Sequence, residues 1–335
     1  MFRWFRKIFR EISKHFDISQ DYRMIAHNEK DLEFCMDTDG ILSPEKAIAF
    51  SFQSNNLTFS LKEESEKDFK KLLDIKKLKL LFYYHEGDNP AHIKNRLDSL
   101  VKFHLLPDDC YRFISNNTAA DHIPGFVFFP DFESWYYHRN LNTTPLDCHF
   151  GSRSRDFTAL NRLHKSWRAT FMADLVPLLD NSYWSYCETG AVIDEENPLE
   201  IDSVPNLRSI TQEFLANSPY FADNLDDSDR NNNAVTLEKF FTDSWMHIVI
   251  ETHFDADQSN GVFLTEKTFK PIKHGQPFFI AGCAGSLQTL RDLGYRTFDS
   301  VLDNTYDTIQ DNTLRWRALR AGIEQAKPNL PEIFK

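Results

Sequence analysis

Apolar residues in this chain fall into short runs separated by polar clusters, glycine and proline, and two periodicities alternate along it. The first periodicity is helical. Phe2, Phe5, Phe9, Ile12 and Phe16 recur at three- and four-residue spacing, with Trp4 and Ile8 widening the stripe and Arg3, Arg6, Lys7, Arg10 and Lys14 around it. That spacing predicts an amphipathic helix over residues 1–20. Next come a strand over Ala47–Phe52 and a charged helix over Glu63–Leu73. A buried strand is expected over Lys77–Tyr84 and a helix over Ala91–Phe103, with further strands over Tyr111–Ser115 and Gly125–Phe129.

The second half repeats the rhythm. Phe157–Leu160 reads as a strand, Lys165–Leu179 as a helix, and Met246–Ile250 as a strand with Glu251 and Thr252 at its end. Val262–Leu264 is a short apolar run of the kind a buried strand uses, and Thr265 can cap the helix that follows. Gly275 suits the left-handed stop of that helix. Gln276–Ala281 reads as a strand, Ser286–Leu293 as a helix stopped by Gly294, and Tyr295–Phe298 as a returning strand. Strands alternating with helices predict parallel sheets covered by helices.

At 335 residues and 41% hydrophobic content, the chain is long enough for two domains with real cores, and its 30 phenylalanines predict aromatic packing. Composition turns polar around residues 140–156, which puts the expected domains at 21–152 and 153–335, behind the helix at 1–20. A net charge of −12 disfavours a nucleic-acid backbone as the main partner. Five scattered cysteines (Cys35, Cys110, Cys148, Cys187, Cys283) fit a reducing, cytoplasmic setting. The N-terminal apolar residues are interleaved with charge and do not read as a secretory signal, and no run is long enough to span a membrane. The basic aromatic helix fits two uses. It could give peripheral contact with an anionic membrane through residues 1–16, or pack on the body of the protein or on a second copy.

In parallel α/β sheets, ligands bind where strand C-termini meet helix N-termini. Glu266 and Lys267 fall at one such edge and Asn161 and Arg162 at another. Arg168 lies in the first turns of the helix after Asn161, where a cation opposes the helix dipole and an anionic partner would offset it, with a surface salt bridge as the alternative. Glu86 and Asp88, in the polar loop after Lys77–Tyr84, and Glu133 beside aromatics, are candidate general bases, each with the alternative of an ordinary solvated turn. Asp37-Thr38-Asp39 could hold a divalent metal beside a diphosphate, but such a triplet arises easily in an acidic chain.

Taken in order, strand–Asn161–Arg162, strand–Glu251–Thr252, Phe263-Leu264-Thr265-Glu266-Lys267 and Gly275-Gln276-Pro277-Phe278 resemble the donor half of inverting glycosyltransferases with two Rossmann-like domains (GT-B). The resemblance is closest to the α1,3-fucosyltransferase-like group and its viral and bacterial relatives. It covers roughly residues 155–310, and its best motif is about ten residues long. In that family an Asn at a strand end precedes, by about seven residues, an Arg that holds the donor diphosphate, as Asn161 and Arg168 are spaced here. A Tyr-x-Thr-Glu-Lys motif supplies a Glu for the ribose and a Lys for the phosphates, matched by Glu266 and Lys267. Phe263 stands in place of the Tyr, and Thr268-Phe269-Lys270 departs from the usual apolar–Trp pair. The N-terminal half matches only in its α/β rhythm.

The resemblance implies two Rossmann-like domains facing across a cleft. It also implies sugar transfer from a nucleotide-sugar, GDP- or UDP-linked, to a hydroxyl acceptor, with inversion and without a metal or other cofactor. Arg162, Arg168, Lys267 and Lys270 would then neutralise the leaving diphosphate. The base would come from the facing domain. Two alternatives are a metal-dependent transferase using Asp37 and Asp39, and a non-catalytic α/β module that binds partners.

Overall fold

The computed structural model describes residues 22–26, 49–53, 56–60, 79–84, 87, 89–103, 111–130, 132–133, 153–193, 197–222, 239–255 and 261–334. The expected helices at 1–20 and Glu63–Leu73, the Asp37–Asp39 triplet, Glu86, Asp88 and most of the polar stretch at 140–156 lie outside these residues. The protein is mixed α/β with parallel sheets, and the chain divides into two compact units, Met1–Asp131 and Phe132–Lys335.

In the first unit, β1 (Tyr22–Ala26), β4 (Lys79–Tyr84), β5 (Tyr111–Ser115) and β6 (Phe126–Phe128) form a parallel sheet in that spatial order. β2 (Ala49–Gln53) and β3 (Asn56–Ser60) make a separate antiparallel hairpin. The helix α1 (Pro90–Phe103) buries Ile93, Leu97 and Val101, one stripe at four-residue spacing. Tyr111 on β5 donates its hydroxyl to Asp98 on α1 at 2.6 Å, and Phe113 stacks on Phe126 at 4.6 Å. The described strands of this sheet lie side by side in chain order, with no reversal among them.

In the second unit the parallel order is β10 (Phe278–Ala281), β9 (Ser244–Ile250), β7 (Arg155–Asn161), β8 (Tyr183–Tyr186). β7 and β9 are central and buried, as parallel strands covered on both faces must be. After β7 the chain passes through α2 (Ser166–Leu175) to β8 on one side. It then runs through α3 (Leu207–Ala216) and α4 (Lys239–Thr242) to β9 on the other side of β7. This reversal makes the gap between β7 and β9 a topological switch point. Thr158 pairs with His247, so the same parallel register brings Asn161 level with Ile250 at the C-terminal edge.

α5 (Glu266–Lys273), α6 (Ser286–Asp292), α7 (Asn312–Ala326) and α8 (Leu330–Phe334) complete the unit. Its core joins Phe157, Trp167, Phe171, Ile248, Phe269, Phe278, Phe279 and Leu319. Each fully buried apolar side chain contributes about 1.5–3 kcal/mol relative to exposure. Gly275 (φ +64°) and Gly294 (φ +91°) end α5 and α6 in the left-handed region, as expected.

Three expectations are corrected. Val262–Leu264 is buried but is not a strand, because β9 already has β10 on one side and β7 on the other. Tyr295–Phe298 is a loop: the Thr297 carbonyl accepts the Asn304 side-chain amide at 2.5 Å, and Phe298 has φ +63°. The helix expected over Lys165–Leu179 ends at Leu175 and continues as a tighter turn over Val176–Leu178, where Pro177 supplies no N–H. Among the described residues no helix is long and apolar enough to cross a membrane.

Candidate functional site

At the C-terminal edge of β9, Glu251 is fully buried. One carboxylate oxygen accepts the Thr265 N–H at 3.0 Å and the Thr268 hydroxyl at 2.6 Å. The other accepts the Thr265 hydroxyl at 2.7 Å and the Thr252 N–H at 3.2 Å. Thr265 and Thr268 lie one helical turn apart, so both face the same strand end. These four neutral donors occupy the carboxylate and tether the first turn of α5 to β9. Glu251 is therefore an anchor for the site.

Thr265 caps α5, its hydroxyl accepting the Lys267 N–H at 3.4 Å. Glu266 follows, 4% exposed. Burial pushes its carboxyl up, but Lys267 and Lys270 outweigh that and hold it below its ordinary value. The Lys267 ammonium donates to Glu266 at 3.2 Å and to the Thr265 hydroxyl at 3.1 Å, with about a third of its side chain (32%) exposed. Lys270 is half-buried one turn further on, and its ammonium is lowered to about 8 by burial, reinforced by Lys267 and Arg162 against the opposing pull of Glu266.

Across the switch point, Arg168 projects from α2 and is 4% exposed. Its Nε and Nη2 donate to the Glu251 carbonyl at 3.1 and 2.7 Å, and Nη1 to the Leu163 carbonyl at 3.1 Å. Burial lowers this guanidinium to about 10, opposed by the fields of Glu251 and Glu266. Where an anionic partner is expected, Arg168 bonds within the protein to two carbonyls, that of Glu251 at the end of β9 and that of Leu163 in the loop after β7. Arg162 acts on both Arg168 and Lys270 as a repelling neighbour, which puts the three cations at one edge. Lys165 adds a further tie, its ammonium donating to the Thr252 carbonyl at 2.8 Å.

The fold thus gathers Asn161, Arg162, Arg168, Glu251, Thr265, Glu266, Lys267 and Lys270 around the ends of β7 and β9. Asn161 is buried, with its amide donating to the Leu163 carbonyl at 3.4 Å. Phe263 sits elsewhere, inside the core against Phe132 and His253. Glu133 accepts a hydrogen bond from the Tyr295 hydroxyl, and its carboxyl is pushed up by burial against the pull of that bond.

Sequence reasoning missed Thr268, Lys165 and the pair His164–Tyr186, whose ring Nδ1 and hydroxyl lie 2.5 Å apart. Thr268 carried a faint signal, one helical turn beyond Thr265. The others are joined only by the parallel sheet. Chemically, the edge offers several cations against two buried carboxylates, Glu251 and Glu266, beside the capped N-terminus of an eight-residue helix. Such an arrangement favours a polyanion. The sequence matches no protein-family model and no curated protein.

Proposed function

We propose that the protein is a glycosyltransferase that moves a sugar from a nucleotide-sugar to a hydroxyl acceptor, with inversion and without a metal. One observation carries this reading: Arg162, Arg168, Lys267 and Lys270 gather at the β7/β9 switch point around two buried carboxylates, Glu266 and Glu251, the second of them occupied by four neutral donors. A nucleoside diphosphate leaves with negative charge that an enzyme without a metal must meet with cations and helix N-termini. Lys267, Lys270 and Arg162 would face the diphosphate. Arg168, engaged with the Glu251 and Leu163 carbonyls, would hold the two strand ends and add its field. Glu266 would take the ribose hydroxyls, as acidic residues do in other nucleotide-binding sheets.

The order 2-1-3-4 of β8, β7, β9 and β10, numbered by appearance, is a doubly-wound order with a switch point beside its first strand, and supports taking the second unit as the donor domain. We take the first unit as the acceptor domain of a GT-B-type enzyme. The base that deprotonates the acceptor is assigned to Glu86 or Asp88, because Glu133 is engaged by Tyr295. We place it in the cytoplasm, with residues 1–16 either meeting an anionic membrane peripherally or packing on the protein itself or on a second copy.

A thermal-shift panel of GDP, UDP and dTDP on the full chain tests the class and the base together. A ligand at a hundredfold its dissociation constant stabilises the folded state by about 2.7 kcal/mol, an easily read shift. No shift with any of the three would overturn the proposal.

A further inference from the structure

The loop that carries Arg162 also carries His164, a half-buried ring with a role that the cation cluster leaves open. Its Nδ1 lies 2.5 Å from the Tyr186 hydroxyl, and the two rings meet edge to face at 80°. Tyr186 is fully buried at the end of β8, with Phe214 against its ring at 5.0 Å. Burial, reinforced by Glu188, pushes the phenol above its ordinary value despite Arg168, so it stays protonated. A protonated phenol can donate to Nδ1 or accept from it. Where it donates, Nδ1 is the acceptor and the ring carries its proton on Nε2.

The loop itself is held in place. Arg168 donates to the Leu163 carbonyl and Lys165 to the Thr252 carbonyl, which ties residues on both sides of His164 to the end of β9. Among the described residues no protein acceptor meets Nε2 of His164. A ring held at Nδ1, on a pinned loop two residues from Arg162, is placed to turn its other nitrogen toward an oxygen-rich ligand at the same edge.

On the basis of the nucleotide-sugar reading above, we infer that His164 is a further ligand-binding residue, whose Nε2–H donates to an oxygen of the bound diphosphate. Tyr186 positions it by fixing the tautomer.

The test is titration calorimetry of the full-length protein with inorganic pyrophosphate, GDP, UDP and dTDP, combined with nitrogen-resolved NMR of the histidine rings. His164→Ala weakens binding of whichever of these the wild type takes by roughly tenfold or more, the usual loss for a hydrogen bond to a charged group. Tyr186→Phe weakens it by a smaller factor and lets the ring sample both tautomers. In the wild type, the His164 resonances report Nε2–H, and that proton shifts on ligand addition.

Wild-type binding with an unchanged His164→Ala variant overturns this inference and leaves the nucleotide-sugar reading standing. So does an Nδ1–H ring in the wild type. Wild-type protein that binds none of the four probes overturns the reading and this inference together. If His164→Ala fails to fold, Tyr186→Phe and the wild-type spectrum decide the matter.

Discussion

Arg168 and Glu251 are joined by backbone hydrogen bonds as well as by charge: the guanidinium donates twice to the Glu251 carbonyl and feels the field of its carboxylate, which holds Thr265 and Thr268. The two residues thereby fasten α2, the loop after β7, the end of β9 and α5 to one another. Their neighbours Lys267 and Lys270 stand at the same edge, Lys267 partly exposed and bonded within its own turn. Roles at this edge follow from which polar groups are already satisfied.

Glu251→Ala leaves the Thr265 and Thr252 amides and two hydroxyls without their acceptor in a buried place. Losing them is expected to lower stability by about 3 kcal/mol. In a unit of this size that is roughly 6–12 °C in melting temperature, measurable by calorimetry. A melting temperature unchanged within a degree would show that the anchor does not matter.

Lys267→Ala and Arg168→Ala are expected to separate. Lys267 is partly exposed and bonded only within its own turn, so its loss weakens nucleoside diphosphate binding about tenfold or more with the fold intact. Arg168 holds two carbonyls, so its removal weakens binding and also destabilises by about 2 kcal/mol. Parallel binding isotherms and urea midpoints on the two variants check the contrast. Equal midpoints would remove the positioning role given to Arg168.

Lys270 binds its proton less tightly in the folded chain, at about 8, than at its ordinary value of 10.5. Between those two pH values the unfolded chain carries more protons, so this residue makes stability rise with pH across the window. Ligand affinity runs the other way. A diphosphate is met by the charged ammonium, so affinity should fall as pH climbs through about 8, well above the phosphate's own second ionisation near pH 6. Dissociation constants measured from pH 7 to 9.5 test this, and Lys270→Met should flatten the profile. A wild-type profile already flat would exclude Lys270 from contact.

Glu86→Gln and Asp88→Asn, made separately, should leave nucleotide affinity unchanged, and one of them should lower turnover by about a hundredfold or more, the usual contribution of a general base. Glu133→Gln should retain turnover, because its partner Tyr295 accepts a hydrogen bond from the amide as readily as it donates one. A collapse of turnover in Glu133→Gln alone would move the base to that residue.

Local pattern was sufficient for much of this unit. The apolar runs at Phe157–Leu160 and Met246–Ile250 became β7 and β9, Thr265 became a cap, and Gly275 and Gly294 became helix stops. Each depends on interactions within a few residues: side-chain alternation, an N-cap hydroxyl, or a left-handed φ. The cation-bearing edges after β7 and before α5 were legible for the same reason, since a strand end followed by a helix start is a local event.

Which runs became strands was decided by partners distant in sequence. Val262–Leu264 is as apolar as β10, but the ladder positions beside β9 belong to β7 and β10, so it packs without pairing. The engagement of the Glu251 carboxylate by Thr265 and Thr268, the pinning of its carbonyl by Arg168, and the meeting of His164 with Tyr186 across two strands arise only when the sheet forms. The sequence by itself determined the element types and the residues available at each edge. Tertiary structure decided which of them are satisfied within the protein and which can meet a ligand, because hydrogen-bond satisfaction depends on groups that chain order does not bring together.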